Sequence, residues 1–127
     1  MITDKEKILI IDEAGFSRVC SAILEADGFQ AETISSSEQP HEAMLGNDVG
    51  LVITSYPFGN SFFSEIRRKS LPIIVLTDHI SKDLLTSLSE FEKSICMMKP
   101  LNYDRFKSLV RQLMNGDSIC QGGYSIV

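Results

Sequence analysis

A chain of 127 residues, 43% of them hydrophobic and 23% charged, has the length and composition of one globular domain. Its formal net charge of −5, without a basic stripe, excludes a domain that binds nucleic acid through its own electrostatics. No apolar run is long enough to span a bilayer, the N-terminus lacks the apolar core of a signal peptide, and the three cysteines show no CxxC spacing. We therefore expect a reduced, cytoplasmic protein that binds neither nucleic acid nor a membrane.

The stretch Lys7–Glu13 predicts the central strand of the fold. The aliphatic run from Ile8 to Ile11 shows no polar alternation, so both of its faces must be covered, as they are in a central parallel strand. The run ends on two adjacent carboxylates, Asp12 and Glu13. Sites in open α/β sheets lie at the carboxyl edge of the strands, so these acids mark either a site or the start of a solvated loop.

Helices and further strands are predicted in alternation after this stretch. Apolar residues recur at helical spacing from Phe16 to Leu24, and Gly28 is a typical end for that helix. Serines at 35–37 offer N-caps for a second helix, which ends at Gly46. The other strands are predicted at Phe29–Ile34 near an edge, and at the buried runs Leu51–Thr54, Ile73–Leu76 and Ile95–Met98.

Three more helices complete the pattern. They are predicted around Phe62 to Ile66, from Leu84 to Phe91, and from the N-cap Asn102 to Gly116. Five β–α units in alternation require parallel strands with right-handed crossovers. We expect one domain at 1–116, with 117–127 either a linker stub or a tail that packs on the body.

Polar residues follow four of the predicted strands at the point where each strand ends. They are Asp12 and Glu13, then Ser55, then Thr77 and Asp78, then Lys99. If the strands are neighbours, these side chains converge on one shallow cleft. Paired carboxylates bind Mg²⁺ or face an ammonium, and a lysine neutralises an anion or pairs with acids.

With these residues in place, the chain resembles the response-regulator receiver domain of two-component signalling. The resemblance covers about Lys7 to Met114, and it rests on the segments 8–13, 50–55, 71–77 and 98–101. It implies a flavodoxin-like, doubly wound α/β fold, a five-stranded parallel sheet in the order 2-1-3-4-5 with helices on both faces.

The resemblance also implies roles for residues in the cleft. In that family an acid pair binds Mg²⁺, an aspartate that ends the third strand accepts phosphate, and a hydroxyl and a lysine contact the phosphoryl group. By position, Asp12 and Glu13 match the acid pair, Thr77 matches the hydroxyl and Lys99 matches the lysine.

Four departures from the family pattern predict a degenerate receiver. Ser55 stands where the phosphate-accepting aspartate belongs, and a serine without a positioned base is not a ready nucleophile. The loop 56–61 is shorter than the family's loop, which gives a carbonyl to the metal. Asp78 replaces a small residue beside the phosphoryl group, and Cys96 replaces the aromatic residue that changes rotamer on activation. We expect no resident cofactor, with Mg²⁺ binding at Asp12 and Glu13 weak or lost.

The expected function is a non-enzymatic, phosphorylation-independent interaction module. The resemblance implies docking of a protein partner or a second copy, as a homodimer, through the face made by the fourth helix, fifth strand and fifth helix. That face includes residues near Ser87, Glu90, Tyr103, Arg105 and Lys107. Two alternatives stay open: a small flavodoxin-like enzyme that uses Asp12, Ser55 and His79, or a receiver that retains weak Mg²⁺ or anion binding.

The charges of the predicted cleft also favour a clamp. Three carboxylates surround one ammonium, and close like charges disfavour ionisation unless a cation lies between them. We therefore expect the Lys99 ammonium to lie between Asp78 and the pair formed by Asp12 and Glu13.

Overall fold

The protein forms one parallel sheet covered by helices on both faces. The computed structural model describes residues 7–12, 14–35, 48–56, 63–91, 93–99, 101–115 and 124–126. The strands are β1 (Lys7–Asp12), β2 (Gln30–Ser35), β3 (Val49–Ser55), β4 (Ile73–Thr77), β5 (Ser94–Met98) and β6 (Tyr124–Ile126). The helices in these ranges are α1 (Ala14–Ala26), α2 (Phe63–Arg68), α3 (Lys82–Leu88) and α4 (Tyr103–Met114).

The sheet has six strands in the order β2-β1-β3-β4-β5-β6, and every neighbouring pair is parallel. The predicted order 2-1-3-4-5 is confirmed, and β6 extends it beyond β5. Residues 36–46 of the predicted second helix, Glu13 and the loop 57–62 lie outside the described residues, while Ser35 ends β2. None of the described helices has the length and apolar character needed to cross a membrane.

Two apolar layers sandwich the sheet because successive strand residues point to opposite faces. In β1, Ile8 and Ile10 contribute to the layer that contains α1 and α4, while Leu9 and Ile11 contribute to the layer that contains α2 and α3. All four are 0% exposed. Burial on both faces explains why β1 reads as an unbroken aliphatic run.

Local chemistry sets the helix ends. The Asn102 side chain accepts a hydrogen bond from the Arg105 N–H at 3.1 Å, which confirms the predicted N-cap of α4. The helix predicted to reach Phe91 ends earlier, at Leu88, because the chain turns there. Phe91 is then buried edge-on against Phe63, with ring centroids 5.4 Å apart.

The end of α1 depends on one glycine. The helix ends at Ala26, and Gly28 follows with φ +94°, in the left-handed region that side chains disfavour. Gly15, in the first turn of α1, does not have such a φ, and a Cβ would meet nothing within 4 Å at either glycine. A Cβ at either position therefore meets no steric contact, and a comparison of alanine substitutions there isolates the effect of the backbone angle at Gly28.

We predict that Gly28→Ala lowers the free energy of unfolding by about 1–2 kcal/mol, because alanine pays the left-handed penalty there. The matched variant Gly15→Ala should be neutral or raise stability by up to about 1 kcal/mol, since alanine is the better helix former. Urea denaturation of both variants measures the difference. An equal effect at the two positions would contradict the role of the backbone angle.

Candidate functional site

The strand register brings the predicted polar residues together at the carboxyl edge. Ile11 is opposite Thr54, so the next residues along, Asp12 and Ser55, end neighbouring strands side by side. Ser55 is in turn opposite Leu76, the residue before Thr77. Four neighbouring strands, β1, β3, β4 and β5, therefore deliver their last residues to one region.

A buried hydrogen bond joins Asp12, at the end of β1, to Ser55, at the end of β3. The Ser55 hydroxyl donates a short hydrogen bond to Oδ2 of Asp12, and each residue is 1% exposed. A neutral donor faces a carboxylate here, whereas an aspartate at position 55 would place two negative charges together. The neighbouring Thr54 hydroxyl donates to the carbonyl of Ile11 at 2.6 Å, so two adjacent hydroxyls tie β3 to β1.

The Thr77 hydroxyl is engaged within its own turn. It donates to the carbonyl of His79 at 2.7 Å and accepts from the His79 N–H at 3.2 Å. Thr77 is also buried, at 4% exposed. A hydroxyl that both donates and accepts locally has little remaining capacity for an anion.

Lys99 contacts an aromatic ring instead of the predicted carboxylate. Its ammonium lies 4.5 Å from the centroid of the Phe16 ring, on the first turn of α1. The Asp78 side chain is exposed. Among the ion pairs between residues that the structure describes, none joins Lys99 to Asp78. The expected clamp is therefore wrong in its Asp78 arm, because Asp78 lies in the bend after β4 and faces solvent.

Cys20 is a neighbour of the site that the sequence did not reveal. It is 0% exposed on α1, and burial raises the pKa of its thiol to about 12. The charge of Asp12 raises that pKa further, while the charge of Lys99 lowers it. The thiol is thus neutral at pH 7 and packs as a small apolar group within reach of the charges of Asp12 and Lys99.

The described residues do not connect His79 with Ser55 and Asp12, the three residues of the alternative enzyme site. His79 is exposed, and no hydrogen bond among the described residues joins its ring to Ser55 or Asp12. The described ranges contain no group of three or more histidine, cysteine, aspartate or glutamate residues that could hold a metal ion. A Mg²⁺ site at Asp12 and Glu13 stays a prediction, since Glu13 lies outside those ranges.

Solved structures share this architecture. A response regulator receiver domain protein from Clostridium thermocellum is 25% identical, with a TM-score of 0.68 over 87% of this chain and 94% of that one. The chain has the receiver-domain fold of response regulators. A CheY-like receiver domain protein from Methanospirillum hungatei is 18% identical with a TM-score of 0.71, over 87% of this chain and 94% of that one.

A third receiver of similar fold is TrrA from Thermotoga maritima, solved in complex with Mg²⁺-BeF. It is 24% identical with a TM-score of 0.67, over 85% of this chain and 98% of that one. Neither the family models nor the curated proteins yield a match to this sequence.

In this receiver fold, a double-mutant cycle should detect the bond between Asp12 and Ser55. Ser55→Ala leaves a buried carboxylate without that donor, and we predict a loss of about 1–3 kcal/mol in the free energy of unfolding. Asp12→Ala should lose stability as well, and the double variant should lose less than the sum, because the two groups are coupled. Thr54→Val combined with Asp12→Ala is the control and should be closer to additive. Strict additivity of the Asp12 and Ser55 variants would contradict the hydrogen bond.

The raised pKa of Cys20 predicts a pH dependence. The folded thiol titrates near 12 and the unfolded one near 9.0, so its contribution to stability is complete below pH 9 and is lost as the pH rises toward 12. We expect the free energy of unfolding to fall above pH 9, and Cys20→Ala to make that slope shallower. Denaturation of both proteins from pH 7 to 11 measures the slopes, and identical slopes would contradict the prediction.

Proposed function

We propose that this protein is a receiver-like signalling domain that acts without phosphorylation, as a protein-interaction module. The observation that carries the proposal is the buried hydrogen bond from Ser55 to Asp12, at the end of the strand where receivers place their phosphate acceptor. A carboxylate is a weak base for activating a serine hydroxyl at neutral pH. At 1% exposure, Ser55 is also closed to a phosphate donor.

The other residues of the cleft support the same proposal. The Thr77 hydroxyl is bonded to His79, and the Lys99 ammonium lies on Phe16. Each group that would contact a phosphoryl oxygen thus has a contact within the protein. Asp78 adds a negative charge at the rim, which disfavours an incoming phosphate. Binding an anion would require these contacts to break first.

We propose that partners dock on the face formed by α3, α4 and the end of β5, beyond the residues of β5 that pair with β6. Met98, at the end of β5, is 39% exposed, and Tyr103, at the start of α4, is 41% exposed. Exposed aromatic residues and methionine are enriched at protein interfaces. Arg105 is exposed beside them, and Lys107 is half-buried near Asp104. The chemistry fits a protein partner or a second copy that contributes an apolar centre with acidic groups at its rim.

Phosphodonor treatment tests the proposed loss of phosphorylation. We predict that acetyl phosphate with Mg²⁺ leaves the intact mass unchanged, and that beryllofluoride with Mg²⁺ leaves the amide NMR shifts of residues 12, 55, 77 and 99 unchanged. Ser55→Asp is the matched variant, and we expect little rescue because the contacts of Thr77 and Lys99 and the charge of Asp78 remain. Stoichiometric phosphate on Ser55 or on a carboxylate of the unaltered protein after this treatment would overturn the proposal.

A further inference from the structure

The outer edge of β5 carries a strand from the C-terminal end of the sequence. β6 runs parallel to β5, with Ser94 opposite Tyr124, Ile95 opposite Ser125 and Cys96 opposite Ile126. Within the described sheet, β6 has β5 as its one neighbour and is the last strand. The short segment therefore covers the backbone of the longer strand.

The backbone groups that β6 covers can be assigned. The Lys99 N–H donates to the Thr77 carbonyl at 2.8 Å, and the Ile73 N–H donates to the Lys93 carbonyl at 3.1 Å. Residues two apart on a parallel strand point their backbone groups to the same side, so 93, 95, 97 and 99 face β4. Ser94 and Cys96 consequently present their N–H and C=O groups to the outer edge, where β6 lies.

Apart from its cover by β6, the sequence of β5 has none of the usual protections against pairing with another chain. Natural edge strands carry charged residues, proline or bulges that prevent association. The β5 sequence Ser-Ile-Cys-Met-Met contains no charge and no proline. Ile95, Cys96 and Met97 are also at most 3% exposed. An uncovered β5 would be an apolar, regular edge that accepts a strand.

The connection to β6 differs in hand from the others. Across the sheet, the chain moves from β1 to β2 in one direction and from β5 to β6 in the opposite direction. The helices of the two units, α1 and α4, nevertheless pack in the same apolar layer. The units through α2 and α3 move toward β5 with their helices in the other layer, which gives them the hand of the α1 unit. About 98% of such crossovers are right-handed, so we assign the right hand to the α1, α2 and α3 units, which share one hand. The α4 unit has the opposite hand and is therefore left-handed.

The rare handedness distinguishes β6 from the strands that follow right-handed crossovers. Its pairing with β5 then resembles the addition of an extended peptide to a sheet edge.

We propose that the outer edge of β5 is a docking site for one extended strand parallel to β5. The segment Tyr124–Ile126 occupies that site reversibly in cis, and the same segment of a second copy takes its place in trans. Identical segments make identical backbone contacts, so the choice between cis and trans is set by concentration. A tethered segment has an effective concentration of the order of millimolar, so cis occupancy dominates in dilute solution. This inference rests on strand pairing and not on the proposed loss of phosphorylation.

Hydrogen exchange in the unaltered protein is the first test. If β6 detaches by local opening, the amide of Cys96 should exchange at least tenfold faster than the amides of Ile95 and Met97, which face β4. Exchange of all three at the rate of global unfolding would overturn the proposal.

A peptide titration is the second test. The full chain with Ser125→Pro cannot make the ladder, because proline lacks the N–H, and Ser118→Pro is the matched control outside the strand. A synthetic peptide of residues 121–127 should shift the Ser94 and Cys96 amides of Ser125→Pro, with half-saturation at about 0.1 mM or below, well under the effective concentration of about 1 mM for the tethered segment. It should bind the natural chain and Ser118→Pro at least tenfold more weakly.

The outcomes decide between the possibilities. Equal binding to all three proteins, or no binding to a folded Ser125→Pro, would overturn the docking site. If circular dichroism shows that Ser125→Pro is unfolded, β6 is an integral strand and the proposal fails as well. A peptide with proline in place of Ser125 is the negative control and should cause no shift.

Discussion

Burial of the central strands on both faces is the constraint on which the rest of the structure depends. The side chains of β1, β3 and β4 are enclosed between two helix layers, so polar chemistry is confined to the ends of these strands. Parallel pairing then aligns those ends at one edge. The bond between Asp12 and Ser55 is a direct result, because the same burial removes competing water from both groups.

Several polar side chains that the structure describes at this edge make their contacts within the protein. In this chain the serine, the threonine and the lysine contact Asp12, His79 and Phe16, respectively. A serine at position 55 faces Asp12 with a neutral hydroxyl, so this pair brings one negative charge to the edge and not two.

Much of this could be predicted from local pattern. The aliphatic runs of β1 and β3–β5 identified buried strands, because burial on both faces has a clear sequence signature. The polar residues at the ends of these runs then indicated the candidate site. The contact of Lys99 with Phe16 could not be predicted, since it joins β5 to α1 through the packing of two distant elements. The strand β6 was also missed, because three residues are too few to show a period. The exposure of Asp78 depends on the direction of a bend, which residue types do not specify.

The self-contained cleft has a consequence for how information would pass through such a domain. A ligand shifts a conformational equilibrium only by its difference in affinity between two states. If the domain acts without phosphorylation, as proposed above, the quantity that varies is the number of molecules, set by synthesis and degradation. The response would then be proportional to the abundance of the domain, with no turnover of a modified form.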